Sequence, residues 1–284
     1  MSLSEHRLLG LSSAGFHRIA YAQWGRPDND RVLVCVHGLT RTGRDFDALA
    51  QALEARYRVA CPDVVGRGRS DWLPDPELYQ FTQYLTDMAM LVARLNVDAV
   101  DWVGTSMGGI IGMLLAAQPN TPIRRLVLND IGPFIPRAAL EGISEYLGKA
   151  PKFDDIGAAA DYLSQVHSGF GPLSREQWLH LARTCTRADG DGYRLAYDPG
   201  IAQSSSTRPE DVDLWAQWDR VDCPVLVLRG AASDLLSPDT LAQMKKRSPK
   251  RVDSIEFQGV GHAPALMDEE QIAAVRDWLW REDA

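Results

Sequence analysis

The chain has no hydrophobic run long enough to cross a bilayer. Its longest nonpolar stretch, Met107 to Ala117, falls far short of the roughly 20 residues such a helix needs. Met1 to Gly10 lack the apolar segment of a secretory signal. Cysteine is scarce: the four, Cys35, Cys61, Cys185 and Cys223, show neither C-x-x-C nor Cys/His ligand spacing. Three lie in or beside apolar strand-like runs, so they read as buried thiols, with no disulfide framework and no metal site. A cytoplasmic location is the expectation. Basic charge is also lacking, with 30 Lys and Arg against 38 Asp and Glu and a net charge of −8. No basic run or aromatic-basic stripe offsets this, which argues against a nucleic-acid partner. Neither a membrane partner nor a 20–50-residue repeat is indicated.

What is present is ordinary for a globular chain of 284 residues, with 45% hydrophobic and 24% charged residues. A chain this long can bury about 75% of its unfolded surface and needs no disulfide or metal to fold. Val32–Val36 is a continuous apolar run, as in a parallel strand covered on both faces. Thr42 is placed to cap a following helix in which Phe46, Leu49, Ala50 and Leu53 share one face. Further strands are predicted over Phe16–Trp24 (antiparallel), Tyr57–Cys61, Ala99–Val103, Arg125–Leu128, Val225–Leu228 and Val252–Phe257. Helical faces are predicted from Thr82 to Leu95 and over Ile272, Val275, Trp278 and Leu279. Such alternation specifies a mostly parallel sheet flanked by helices.

Between Asp130 and Val221 the rhythm stops. No strand is evident there, only turn signals and helical pieces such as Ala158–His167 and Ser174–Arg183. About ninety residues exceed any connecting loop. A helical cap over residues 132–220 is expected, above a core formed by 1–131 and 221–284, at the sheet edge where open α/β folds bind ligands.

Gly104-Thr-Ser106-Met-Gly108 sits between a predicted strand and an apolar helix. A serine on such a tight turn needs small neighbours and faces a helix N-terminus that favours developing negative charge. A serine hydroxyl is a weak nucleophile until a base takes its proton. His262, in Gly259-Val-Gly261-His262-Ala263-Pro264 after the last strand, suits that role. His6, His17, His167 and His180 read as surface or core residues. A carboxylate must orient the base. Asp234 follows the strand Val225–Leu228 and fits the chain order Ser…Asp…His. Asp130, also at a strand end, is the rival acid. The Met107 and Leu39 amides are the expected oxyanion donors, with Gly38 permitting close approach and His37 pinning the loop.

These motifs, together with Asp63-Val-Val-Gly66-Arg-Gly68-Arg-Ser70, make the chain resemble the cap-bearing serine hydrolases of the α/β-hydrolase superfamily, which include bacterial esterases, lactonases and C–C hydrolases. The resemblance implies an eight-stranded sheet, no cofactor and a small ester-like substrate cleaved through an acyl-enzyme. Serine at the elbow points away from the dehalogenases and epoxide hydrolases, which carry aspartate there. Leu39 and Thr40 after Gly38 replace the lipase-like His-Gly-Gly-Gly and point away from bulky tertiary esters. Hydrolysis of a C–C bond in a vinylogous diketone is the alternative, with Arg137, Arg175 or Arg183 as carboxylate anchor. A small-molecule receptor on the same scaffold is a more distant one. Among the cap aromatics, Phe134 and Trp178 are candidate pocket residues.

Overall fold

The computed structural model describes residues 3–281. Six strands come first: β1 (Ser4–Ser12), β2 (Gly15–Trp24), β3 (Val32–Val36), β4 (Arg58–Pro62), β5 (Val100–Thr105) and β6 (Ile123–Asn129). Helices α1 (Asp47–Leu53), α2 (Phe81–Leu95) and α3 (Met107–Ala116) lie between them. The chain ends with β12 (Val225–Gly230), α8 (Pro238–Arg247), β13 (Val252–Phe257) and α9 (Glu269–Leu279). These strands form one eight-stranded sheet in the order β1-β2-β4-β3-β5-β6-β12-β13. The β1–β2 and β2–β4 pairs are antiparallel, and the rest are parallel.

The buried strands alternate between two cores. Val32, Val34, Val36, Trp102, Leu126, Leu128, Val225 and Val227 pack with α2, α3 and α8 on one face. Leu33, Cys35, Val103, Val127, Leu226 and Leu228 pack with α1 and α9 on the other. A run apolar at every position therefore serves both layers, which is why these strands read as unbroken hydrophobic segments. All four cysteines are free and buried. Among the described residues no helix is long and apolar enough to cross a membrane.

Strand β1 was not anticipated: its outward side chains, including Leu9 and Leu11, are exposed and blur its alternation. Thr42 does not cap a helix. A 3-10 turn over Gly43–Phe46 intervenes before α1, and the Thr42 hydroxyl donates instead to the Thr184 carbonyl at 3.4 Å.

The segment between β6 and β12 is mainly helical, with α4 (Arg137–Ser144), α5 (Ile156–Val166), α6 (Arg175–Cys185) and α7 (Trp215–Trp218). It also holds five short strands, contrary to the strandless expectation: β7 (Phe134–Ile135), β8 (Lys152–Phe153), β9 (Thr186–Asp189), β10 (Gly192–Leu195) and β11 (Val212–Asp213). They pair as a three-stranded sheet β8-β10-β9 and a two-stranded β11-β7. At two to four residues each, they are too short to show a hydrophobic period. Phe153, Leu163, Trp178 and Leu181 form a separate apolar cluster within this segment.

Strand order reverses between β3 and β5, since the chain leaves β3 toward β4 on one side and returns to β5 on the other. The loops after these two strands flank the crevice that such a reversal opens at the carboxyl edge.

Candidate active site

Ser106 links β5 to α3 with φ 51° and ψ −116°. A non-glycine residue in this region stores about 1–3 kcal/mol of strain, so its surroundings must hold it there. The Ser106 amide donates to the Asn129 carbonyl at 3.1 Å, and its own carbonyl accepts from the Gly109 and Ile110 amides at 2.8 and 3.1 Å. A Cβ at Gly104 would lie 2.3 Å from the Gly108 carbonyl oxygen, and one at Gly108 2.0 Å from that of Val36. Glycine is required at both positions. Beneath the turn, the buried Trp102 indole donates to the Gly108 carbonyl at 3.1 Å.

His262 Nε2 stands 3.0 Å from Ser106 Oγ, and His262 Nδ1 stands 2.8 Å from Asp130 Oδ2. The Asp130 carboxylate also accepts from the Gly230 amide at 2.8 Å and the Ser233 hydroxyl at 2.5 Å. An ionised carboxylate only accepts, so it selects the Nδ1–H tautomer and leaves the Nε2 lone pair facing the serine hydroxyl. Asp130 is fully buried, whereas the His262 side chain is 18% exposed, toward a cavity.

The acid at the imidazole is thus Asp130, not the expected Asp234. Sheet register explains the placement. Thr105 pairs with Asn129, and Asn129 with Leu228, so the next residue, Asp130, lies level with Ser106 and close to Gly230. Asp234 is four residues beyond the end of β12, exposed, on the cavity wall. Asn129 completes the brace by donating to Thr105 Oγ1 at 2.9 Å and to the Pro264 carbonyl in the histidine loop at 2.8 Å.

Among the described residues, neither the Leu39 nor the Met107 amide donates to a protein acceptor. Both adjoin Ser106 in the lining of a cavity. Gly38 is not sterically forced: a Cβ there would make ordinary 3.7 Å contacts with Arg41 and Ser106. His37 Nδ1–H donates to the Gly38 carbonyl at 2.7 Å and Nε2 accepts from the Val64 amide at 2.9 Å. Burial pushes this imidazole down to about 3, so it is a neutral brace. Asp63 accepts from the Gly43 and Arg69 amides at 2.8 and 3.0 Å and is likewise buried. Arg67, fully buried, donates to the carbonyls of Leu39 at 2.9 Å and Val65 at 2.8 Å. It therefore holds the Leu39–Thr40 peptide, next to the one that carries the Leu39 N–H. The Gly66-Arg-Gly68 pattern was the available signal for this support.

Ser106 and Leu39 border two chambers. The larger, about 440 Å³, is lined by Arg41 and His262 from the core and by Tyr146, His167 and Phe170 from the inserted segment. The smaller, about 100 Å³, is apolar, walled by Phe81, Met107, Ile110, Ile135, Leu140 and Ile143. Arg41 was missed in the sequence although it stands three residues after Gly38. It is bound at 2.8 and 2.9 Å by Asp45 four residues on, and its guanidinium lies 5.5 Å from the Phe170 ring centroid.

A family model for the alpha/beta hydrolase fold matches residues 31–268, most of the chain. The chain belongs to the α/β-hydrolase fold family. This α/β hydrolase is 49% identical over 273 residues, 93% of each chain, to the 3-hydroxybutyrate-oligomer hydrolase of Cupriavidus necator. It is 26% identical over 262 residues to a pimeloyl-[acyl-carrier protein] methyl ester esterase of Neisseria meningitidis, covering 89% of this chain and 95% of that one. An alpha/beta hydrolase structure from Novosphingobium aromaticivorans superposes with a TM-score of 0.87 at 35% identity over 98% of both chains. The chain is therefore an enzyme, a serine hydrolase of this fold, and ester hydrolysis is the activity its relatives support.

The other expectations for this hydrolase divide cleanly. Ser106, His262 and the rival acid Asp130 come together, and the Leu39 and Met107 amides flank them. Phe134 and Trp178 line neither chamber: Trp178 packs inside the inserted segment, stacked on Phe170 at 6.1 Å, and Phe134 lies in β7. Tyr146 and Phe170 are the aromatics that reach the cavity. Arg137 and Arg175 are exposed and paired with Glu141 and Asp161, and Arg183 is also exposed, so the cations at the cavity are Arg41 and Lys149 instead.

Proposed function

We propose that this enzyme hydrolyses short oligoesters of 3-hydroxy acids, with Ser106 as nucleophile, His262 as general base and acid, and Asp130 as the orienting carboxylate. Residues 132–220 act as a cap that walls the substrate site. The observation that carries this reading is the continuous relay Asp130–His262–Ser106, which opens between a polar cavity and an apolar slot. The 49% identity to a 3-hydroxybutyrate-oligomer hydrolase supports the substrate class.

Ser106 Oγ attacks the ester carbonyl carbon while His262 Nε2 takes its proton. The carbonyl oxygen becomes an oxyanion held by the Leu39 and Met107 amides, each such donor being worth about 2.7–4 kcal/mol in the transition state. His262 then passes the proton to the leaving alcohol oxygen as the C–O bond breaks, leaving an acyl-Ser106 ester. A water gives its proton to His262 and its hydroxide adds to the acyl carbon. Ser106 departs with that proton and the free acid is released.

Cleavage of 3-hydroxybutyrate dimer and trimer, followed as release of monomer, tests this directly. The parent should turn over, and Ser106→Ala should lose at least about 10⁴-fold in kcat/KM with unchanged melting behaviour. Retention of most activity in that variant would overturn the serine's role.

A further inference from the structure

His167 lines the larger cavity but has no part in the reaction above. It follows α5, and its ring is held on two sides: Phe170 stacks at 4.8 Å, and Tyr146 meets it edge-on at 5.7 Å. Its backbone amide donates to the Leu163 carbonyl at 2.8 Å, and its carbonyl accepts from the Phe170 amide at 2.9 Å. The next residues touch the histidine loop. The Gly169 carbonyl accepts from the Gly261 amide at 2.8 Å, and a Cβ on Gly169 would lie 2.9 Å from the His262 carbonyl oxygen. The ring is therefore anchored to the frame that carries His262.

Within that fixed ring, no hydrogen bond from a described residue reaches either nitrogen, yet neither belongs to the sealed polar atoms that lack partners. His167 lines the cavity, and its ring nitrogens keep contact with accessible space. Burial, followed by the nearby charge of Arg41, holds this imidazole well below the usual histidine range. It is neutral near pH 7 and carries one N–H donor.

Proton transfer decides which part of a substrate His167 meets. The leaving alcohol takes its proton from His262, which lines the larger cavity and not the apolar slot. The alcohol portion therefore occupies the larger cavity, and the acyl chain the slot. In a 3-hydroxy acid oligoester the leaving alcohol carries a carboxylate or ester carbonyl two carbons away. We infer that His167 is a specificity-determining residue, donating its ring N–H to that carbonyl or carboxylate oxygen of the leaving unit. The inference rests on the oligoester-hydrolase reading above. A buried donor penalises a substrate that covers it and leaves it unpaired, which is how such a residue selects.

Two substrates isolate the contact: 3-hydroxybutyryl-3-hydroxybutyrate, and sec-butyl 3-hydroxybutyrate, in which a methyl replaces the leaving unit's carboxylate. The readout is the ratio of their kcat/KM values. His167→Phe keeps an aromatic ring in the stack and removes the donor, so the ratio should fall roughly ten-fold. His167→Gln, which restores an N–H, should recover most of it. Should the phenylalanine variant not fold, His167→Met serves the same comparison. An unchanged ratio without the donor, or no recovery with glutamine, overturns the assignment. If the parent cleaves the sec-butyl ester but not the dimer, the oligoester reading itself fails, and this inference falls with it.

Discussion

On the sheet side of the cavity, Ser106, Asp130 and His262 hang from the ends of β5, β6 and β13, and hydrogen bonds fix their loops. Asn129 alone ties three of those segments, through its backbone carbonyl to Ser106 and its side chain to Thr105 and Pro264. On the inserted side, Tyr146, His167 and Phe170 come from helix ends and a 3-10 turn and are held mainly by ring packing. Hydrogen-bonded register sets atom positions tightly, whereas packed rings accept exchanges that conserve volume. On the function proposed above, the contrast divides the labour: reaction geometry belongs to the first wall, and substrate choice to the second.

The sharpest way to break that contrast is to exchange carboxylates on the two sides of the histidine loop. Asp130→Asn should cost about 10³–10⁴-fold in kcat, because an amide no longer enforces the Nδ1–H tautomer, while Asp234→Asn should change kcat less than about three-fold. Steady-state kinetics on the dimer measures both, and equal losses would put the acid back in doubt. A smaller effect is expected in the slot. Leu140→Ala enlarges the apolar chamber without touching the relay, so kcat/KM for an octanoyl ester relative to a butyryl ester should rise about ten-fold.

The smallest effect concerns the seam between the walls. His180 on α6 stands 3.3 Å from Asp47 on α1, and the hydrogen bond to Asp47 raises its pKa, outweighing burial. A raised folded pKa gives stability that is fully present below the unfolded value of about 6.5 and is lost as pH climbs through the folded value. The half-exposed setting keeps the gain small. The melting temperature of His180→Asn should therefore fall below the parent's by about 1–2 °C at pH 5.5 and by less at pH 8.5. An equal gap at both pH values would remove the ion pair from the account.

Much of the core could be read in advance because its signals are local. Val32–Val36 and Val225–Gly230 are apolar at nearly every position, as two-sided burial demands, and Gly104 and Gly108 flank a serine whose turn admits nothing larger. The acid was not local. Asp130 and Asp234 each follow a strand, and chain order favoured the second. Choosing between them required knowing that β6 lies between β5 and β12, in a register that brings residue 130 level with the serine. The inserted segment was least legible, since strands of two to four residues carry no period and its aromatics divide between interior and cavity.

Sequence alone determined the α/β layering, the serine elbow and the histidine after the last strand, since each follows from apolar periodicity or steric limits within a few residues. Tertiary structure alone decided that Asp130 is the carboxylate at His262, that Arg41 and His167 face the cavity, and that Trp178 does not. Those outcomes depend on strand order, register and packing between distant segments, such as those of Asp130 and His262, 132 positions apart in the chain, and no local pattern encodes such distances.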